Sequence, residues 1–160
     1  MIYNKINFND KTILITGGAG FIGSNLAFYF QENFPKTTIV IVDCFRNVQS
    51  FSNGNLKSFG HFKNLIGFKG EIIVGDINDK SLLKRLEEEY CFNYIFHQAA
   101  ISDTTVEEQD TMLQTNVSAF EDLLKIAIKH NAKMIYASSA STYGNGDKFE
   151  IGYEMPNNIY

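Results

Sequence analysis

Residues 13–23 run Ile13-Leu14-Ile15-Thr16-Gly17-Gly18-Ala19-Gly20-Phe21-Ile22-Gly23. A short apolar run ends in a cluster of glycines, and apolar residues then recur at helical spacing. Gly17, Gly20 and Gly23 fit G-x-x-G-x-x-G, and Gly18, Gly20 and Gly23 fit G-x-G-x-x-G. Both templates make the same physical demand. One glycine permits a sharp turn out of a strand, one lets backbone amides approach a phosphate, and the last lets the helix pack close on the strand. The helix would then aim its free N–H groups and positive dipole end at an anion.

The surroundings fit. Residues Thr12–Thr16 are rich in β-branched side chains and read as a strand. Ile22, Leu26 and Phe30 recur every four residues, which predicts the buried face of the helix. A second apolar run ends at Asp43, twenty residues after Gly23. An acid at that distance accepts a ribose hydroxyl in a strand–helix–strand nucleotide unit. Motif, context and spacing together predict a dinucleotide site, for NAD or NADP. Asp43 favours NAD, because its carboxylate accepts from the 2′-hydroxyl and repels a 2′-phosphate. Arg46 could pair with that phosphate, so the choice between the two stays open.

A length of 160 residues is about one domain and can bury a core. The net charge of −4 argues against nucleic acid or an anionic membrane as partner. No apolar stretch reaches spanning length, and the first residues carry no secretory h-region, so a cytoplasmic location is expected. Cys44 and Cys91 fall in different elements and read as free thiols. His61, His97 and His130 are scattered and give a metal site no support.

Along the chain, strands alternate with helices. The strands are Thr12–Thr16, Thr38–Asp43, Glu71–Val74, Tyr94–His97 and 133–137. Asp79 or Asn78 can cap a helix carrying Leu82, Leu83, Leu86 and Tyr90. A longer helix over 110–130 shows a stripe of Leu113, Val117, Phe120, Leu124, Ala127 and Ile128, ended by a left-handed Asn131. This predicts an α/β fold, a doubly wound parallel sheet of Rossmann type in the order 3-2-1-4-5, with residues 1–160 forming one dinucleotide-binding domain. Residues 46–70 form an extended insertion, a type of segment that is usually functional or mobile. Its Phe51, Phe59, Phe62, Leu65 and Phe68 predict packed pieces, with a short helix near 55–62.

The carboxyl ends of the strands converge on one crevice. After the third strand, Asp76 and the amide of Ile77 can hold an adenine edge, or Asp76 can cap a helix. After the fourth, the small residues between His97 and Thr105 let backbone lie along a dinucleotide. His97 reads as a packed strand residue rather than a catalyst, since its neighbours carry no partner for base chemistry. After the fifth, Ser138, Ser139, Ser141 and Thr142 either line the crevice or make a serine-rich turn.

Taken together, Thr-Gly-Gly-Ala-Gly-Phe-Ile-Gly at 16–23, Gly-Asp-Ile at 75–77, His-Gln-Ala-Ala at 97–100, Asn116 and Ser-Ser-Ala-Ser-Thr-Tyr-Gly at 138–144 resemble the extended short-chain dehydrogenase/reductase family of nucleotide-sugar enzymes. Residues 156–160, Pro-Asn-Asn-Ile-Tyr, resemble the approach to its Tyr-x-x-x-Lys motif. Within the family, the stretches from His97 and from Tyr136 are most similar to those of the ADP-glyceromanno-heptose 6-epimerases. The family's dehydratases place Asp-Glu after the catalytic hydroxyl, whereas Ala140-Ser141 stand here. UDP-hexose 4-epimerases share the Ser-Ser-Ala pattern.

The resemblance implies Ser139 as the catalytic hydroxyl and Tyr160 as the proton-transfer tyrosine. It implies cofactor contacts at Phe21, Ile22, Asp43, Asp76, Gln98, Ala99, Ala100 and Asn116. Gly17, Gly20, Gly23, Cys44, Arg46, Ile77 and Ser102 complete the candidate cofactor-binding set. The expected function is NAD(P)-dependent epimerisation of a nucleotide sugar, ADP-heptose in particular, by a homo-oligomer. The alternatives are a UDP-hexose 4-epimerase, a nucleotide-sugar reductase and a non-catalytic dinucleotide-binding module. The motif lysine would fall four residues after Tyr160. The chain therefore reads as the amino-terminal half of such an enzyme, truncated before the substrate domain and inactive alone.

Overall fold

A computed structural model of the chain describes residues 6–46 and 60–138. Five strands alternate with helices. The order is β1 (Thr12–Thr16), α1 (Phe21–Asn33), β2 (Thr38–Asp43), a single 3-10 turn (Phe62–Leu65), β3 (Glu71–Val74), α2 (Lys80–Glu89), β4 (Tyr94–His97), α3 (Gln109–Leu113), α4 (Ala119–His130) and β5 (Lys133–Tyr136). One turn of π-helix, Gln114–Ser118, joins α3 to α4 without a break. The sheet is wholly parallel in the order β3-β2-β1-β4-β5, as the sequence predicts. The fifth strand stops at Tyr136, one residue short of expectation.

The apolar runs of β1 and β2 follow from burial on both faces. Ile13, Ile15, Ile39 and Ile41 pack against Ala27 and Phe30 of α1. Leu14, Val40 and Val42 face the opposite way, with Ile95 of β4, and meet Leu82, Leu83 and Leu86 of α2 and Leu123 and Ile126 of α4. Alternation along a strand thus divides the core into two layers. Asp79 caps α2, its carboxylate accepting from the Ser81 and Leu82 amides. Hydrogen bonds from the Ser81 hydroxyl and these amides hold its pKa below the usual carboxylate range. Asn131 ends α4 in the left-handed region at φ 51°.

Two helical faces differ from expectation. In α1 the buried positions are Gly23, Ser24, Ala27 and Phe30, whereas Ile22 is exposed. In α4 the buried positions are Ala119, Leu123, Ile126 and Ala127. Leu113, Val117, Leu124 and Ile128 of the expected stripe lie exposed. The expected and buried sets share Phe30 in α1 and Ala127 in α4 and otherwise differ by a rotation of about one residue; in α1 the buried set has the smaller side chains.

Of the insertion, residues 47–59 lie outside the described residues, and with them most of the helix expected near 55–62. The described return contributes buried Leu65 to the α1 layer, with Phe68 packed against it. Phe62 is exposed. The Arg46 amide donates to the Gly60 carbonyl at 3.0 Å, which joins the two ends of the excursion.

Candidate functional site

The site begins where β1 turns into α1. Gly17 adopts φ 67°, in the left-handed region. A Cβ on Gly17 would stand 2.7 Å from the Ala99 nitrogen, so the turn lies directly on the exit of β4. A Cβ on Gly23 would meet the Gly17 carbonyl oxygen at 2.3 Å and the Gly18 Cα at 2.7 Å. Gly20 is different. Its φ of −73° is open to any residue, and among the described residues a Cβ there would approach only the Gly17 oxygen, at 3.1 Å. Among the described residues the constraint at 20 is weaker than at 17 or 23. Among the described residues no side chain caps α1, and its first turn carries no acid. The amides of that turn have no acceptor within the helix, which suits an anion such as a pyrophosphate. Phe21 and Ile22 stand exposed beside it.

Asp43 closes the next strand and is only 6% exposed. Its Oδ2 accepts from the Ala19 amide at 2.9 Å, and its Oδ1 accepts from the Phe45 amide at 2.7 Å. Burial pushes its pKa up against the pull of these two amides. Gly60 lies over the carboxylate, where a Cβ would stand 2.6 Å from both oxygens. Asp43 is thus at the expected strand end, but it also braces the glycine turn against β2. Asn64 and the His61 amide complete the brace by donating to the Ala19 carbonyl. Cys44 and Arg46 follow Asp43 on the exposed side. Local desolvation and the carboxylates of Asp43 and Asp76 push the Cys44 thiol up to about 11, which favours the protonated form.

At the end of β3 the Asp76 Oδ1 accepts from the Asn78 amide at 2.9 Å. Helix capping belongs to Asp79, and the Asp76 carboxylate stays exposed at the sheet edge. The Ile77 side chain is buried among Leu82 and Leu83, which leaves only its backbone as a possible contact.

Beyond β4 and β5 lies a cavity of about 630 Å³ whose lining includes Gln98, Ala99, Ala100, Ser102, Asn116 and Ser138. Asn116 sits in the π turn and pairs with one residue of the loop above it. Its Oδ1 accepts from the Ile101 amide at 2.8 Å, and its Nδ2 donates to the Ile101 carbonyl at 3.0 Å. The amide expected to touch cofactor is therefore engaged in shaping the loop. A π turn inside an α-helix is a frequent mark of a functional position, because it re-aims side chains.

Sequence reasoning missed Thr16 and the partner of His97. The two residues are opposite each other in the register of β1 and β4. Thr16 Oγ1 and His97 Nδ1 lie 2.7 Å apart, buried. The Ala99 amide donates to the same Oγ1 at 3.3 Å. Burial pushes the His97 pKa down to about 4, so the ring is neutral. This makes it a packed strand histidine, and its partner lies 81 residues away in sequence. The two expected catalytic residues, Ser139 and Tyr160, lie outside the described residues.

Residues 13–160 match the NAD dependent epimerase/dehydratase family. The chain is 32% identical to an ADP-L-glycero-D-manno-heptose-6-epimerase of Brachyspira hyodysenteriae over 151 residues, which are 92% of this chain and 44% of that protein. The crystal structure of the Helicobacter pylori ADP-L-glycero-D-manno-heptose-6-epimerase superimposes with a TM-score of 0.80 at 52% identity, covering 99% of this chain and 49% of that one. UDP-glucose 4-epimerase of Thermotoga maritima, solved with UDP-glucose, gives a TM-score of 0.68 at 30% identity over 86% of this chain and 41% of its own. The chain thus spans about half the length of these relatives. A family match that takes in nearly every residue amounts to membership, and the chain belongs to the NAD dependent epimerase/dehydratase family.

Proposed function

We propose that this chain is the dinucleotide-binding half of an ADP-heptose 6-epimerase that works by transient oxidation and re-reduction at one carbon. The observation that carries the reading is the glycine turn seated on Ala99, with uncapped α1 amides beside it and the cavity beyond β4 next to it. The residues fit a nicotinamide dinucleotide. Among the described residues only the Gly17 oxygen comes near a Cβ on Gly20, and Ala99 and Ala100 offer small side chains along the cavity wall beside the Gln98 amide side chain. When bound, the dinucleotide supplies the hydride acceptor and donor.

The roles of the chain's own groups follow from the family resemblance. Tyr160 takes the proton of the sugar hydroxyl, and Ser139 hydrogen-bonds the same oxygen. An unperturbed tyrosine titrates near 10, so Tyr160 needs positive charge close by to act near neutrality. The resulting planar carbonyl can offer its other face to the same hydride source, which inverts the centre. UDP-hexose epimerisation is the neighbouring alternative, and the 30% identity to the Thermotoga enzyme supports it less than the 52% to the heptose enzyme. The reading includes a cytoplasmic homo-oligomer, supported by the free thiols Cys44 and Cys91 and by exposed Leu113, Val117, Leu124 and Ile128. No described helix is long and apolar enough to cross a membrane.

The test is turnover in a protein that carries these residues with the remaining length of its relatives. ADP-heptose is expected to epimerise with no net change in cofactor absorbance. Net consumption of reduced cofactor means a reductase, and no reaction on any nucleotide sugar means a binding module.

Coenzyme choice is expected to respond to Asp43 and Arg46 in opposite directions. Asp43→Ala raises the ratio of NADP to NAD affinity on the order of tenfold, and Arg46→Ala lowers it by a similar factor. Calorimetric titration of both coenzymes checks this. The ratio is the readout, since Asp43→Ala also removes the acceptor of two backbone amides and weakens binding of both. A ratio unmoved in both variants would place the adenosine ribose elsewhere.

A further inference from the structure

We infer that the buried Thr16–His97 hydrogen bond is a positioning element that sets the spacing between the two backbone walls of the dinucleotide site, the glycine turn and the exit of β4. This rests on the proposed dinucleotide-binding reading.

The Ala99 amide can only donate, so the Thr16 hydroxyl accepts from it, at 3.3 Å. The hydroxyl keeps one hydrogen to donate, and His97 Nδ1 lies 2.7 Å away. In the inferred arrangement that hydrogen goes to Nδ1, which then carries the lone pair and leaves the ring proton on Nε2. The three groups form one directed chain, from Ala99 N–H through Thr16 O–H to His97 Nδ1. His97 fixes the hydroxyl rotor, and the fixed rotor presents an oxygen lone pair to Ala99.

The location gives this chain its consequence. Thr16 is the last residue of β1 and His97 the last of β4. The residues that follow them, Gly17 and Gln98-Ala99, form the two facing walls. A Cβ on Gly17 would stand 2.7 Å from the Ala99 nitrogen and 2.8 Å from the Gln98 carbonyl carbon, so the walls touch with no slack. The Gly17 carbonyl accepts from the Gly20 amide at 3.0 Å, within its own turn. Backbone pairing holds Gln98 to Thr16 at 3.1 Å, and the Thr16 side chain reaches one residue further to Ala99. Thr16 and His97 are 1% and 7% exposed, so water offers little substitute. Neither side chain needs to touch a ligand for this role.

The test pairs shape-preserving variants with two readouts. Thr16→Val keeps the shape and removes the hydroxyl, while Thr16→Ser restores it. His97→Leu removes the acceptor, while His97→Asn offers an oxygen in place of Nδ1. Thr16→Val and His97→Leu are expected to weaken NAD or NADP binding on the order of tenfold in protein that remains folded. Thr16→Ser and His97→Asn are expected to stay within a few-fold of the unaltered protein. Long-range proton–nitrogen NMR of the imidazole is expected to show the proton on Nε2, and the Ala99 amide resonance is expected to shift in Thr16→Val. A Thr16→Val protein that folds and binds with unchanged affinity overturns the inference, and so does a ring protonated at Nδ1. If the unaltered protein binds neither coenzyme, the dinucleotide reading falls. The spacing role is then upheld by an Nε2 proton together with a shifted Ala99 amide in Thr16→Val, and overturned without them.

Discussion

Gly20→Val is expected to lower dinucleotide affinity at least about a hundredfold while leaving the folded state intact, whereas Gly23→Ala is expected to damage the fold itself. The two glycines share one motif, and the structure separates their reasons. At position 20 the backbone is extended, and among the described residues a Cβ meets only the Gly17 oxygen at 3.1 Å, a contact that a few tenths of an ångström relieve. A valine there projects into the space that a phosphate must enter to reach the α1 amides. Charge-assisted hydrogen bonds to such amides are worth about 1.5–3 kcal/mol each, so losing two accounts for the hundredfold. At position 23 even a methyl group would lie 2.3 Å from the Gly17 oxygen and 2.7 Å from the Gly18 Cα. Both are backbone atoms, so no side-chain rotation relieves the clash, and overpacking of this kind costs about 1–3 kcal/mol or more. Urea midpoints and calorimetry on both variants check the contrast. Unchanged affinity in Gly20→Val would remove the phosphate assignment.

The strands were legible because burial on both faces leaves an unmistakable trace, as in Ile39-Val40-Ile41-Val42. Their order followed from strand–helix alternation, which points to the doubly wound arrangement. The glycine turn was legible because backbone geometry needs particular residues there. The faces of the helices were not. Apolar spacing shows that α4 has an inward side, but two apolar stripes lie about one residue apart. The choice between Leu124 and Leu123 depends on how closely the helix approaches the sheet. The π turn at Gln114–Ser118 adds a residue to the period and obscures the phase further. The polar braces were least legible. Asp43 reads as a ribose acceptor and Asn116 as a cofactor contact, yet each engages backbone within the protein. Such bonds depend on which loop folds back over which strand. The Thr16–His97 pair joins residues 81 apart through strand register alone, and nothing in either residue's neighbourhood announces it.

That pair also makes the chain acid-sensitive in a predictable window. Burial lowers the His97 pKa from its ordinary 6.5 to about 4. In the unfolded chain the imidazole takes up its proton as pH falls through 6.5, while the folded protein holds the ring neutral down to about 4. Between these values the unfolded state binds more protons, so acidification draws the equilibrium toward it. The stability tied to the neutral ring is fully present above pH 6.5, falls as pH drops, and has been lost once the folded state protonates near 4. At about 1.4 kcal/mol per pH unit the loss is up to about 3 kcal/mol, a large share of a small domain's stability. Protonation at Nδ1 would also end acceptance from Thr16, which frees the hydroxyl rotor and loosens its hold on Ala99. Urea unfolding of the chain and of His97→Asn across pH 4–7 isolates the effect, because Asn keeps an acceptor and cannot titrate. The stability difference between the two is expected to be constant above pH 6.5 and to move steadily in favour of the Asn variant below it. A difference that stays flat down to pH 4 would mean that the ring protonates as readily in the fold as in water, and that the bond to Thr16 does not depend on its neutral form.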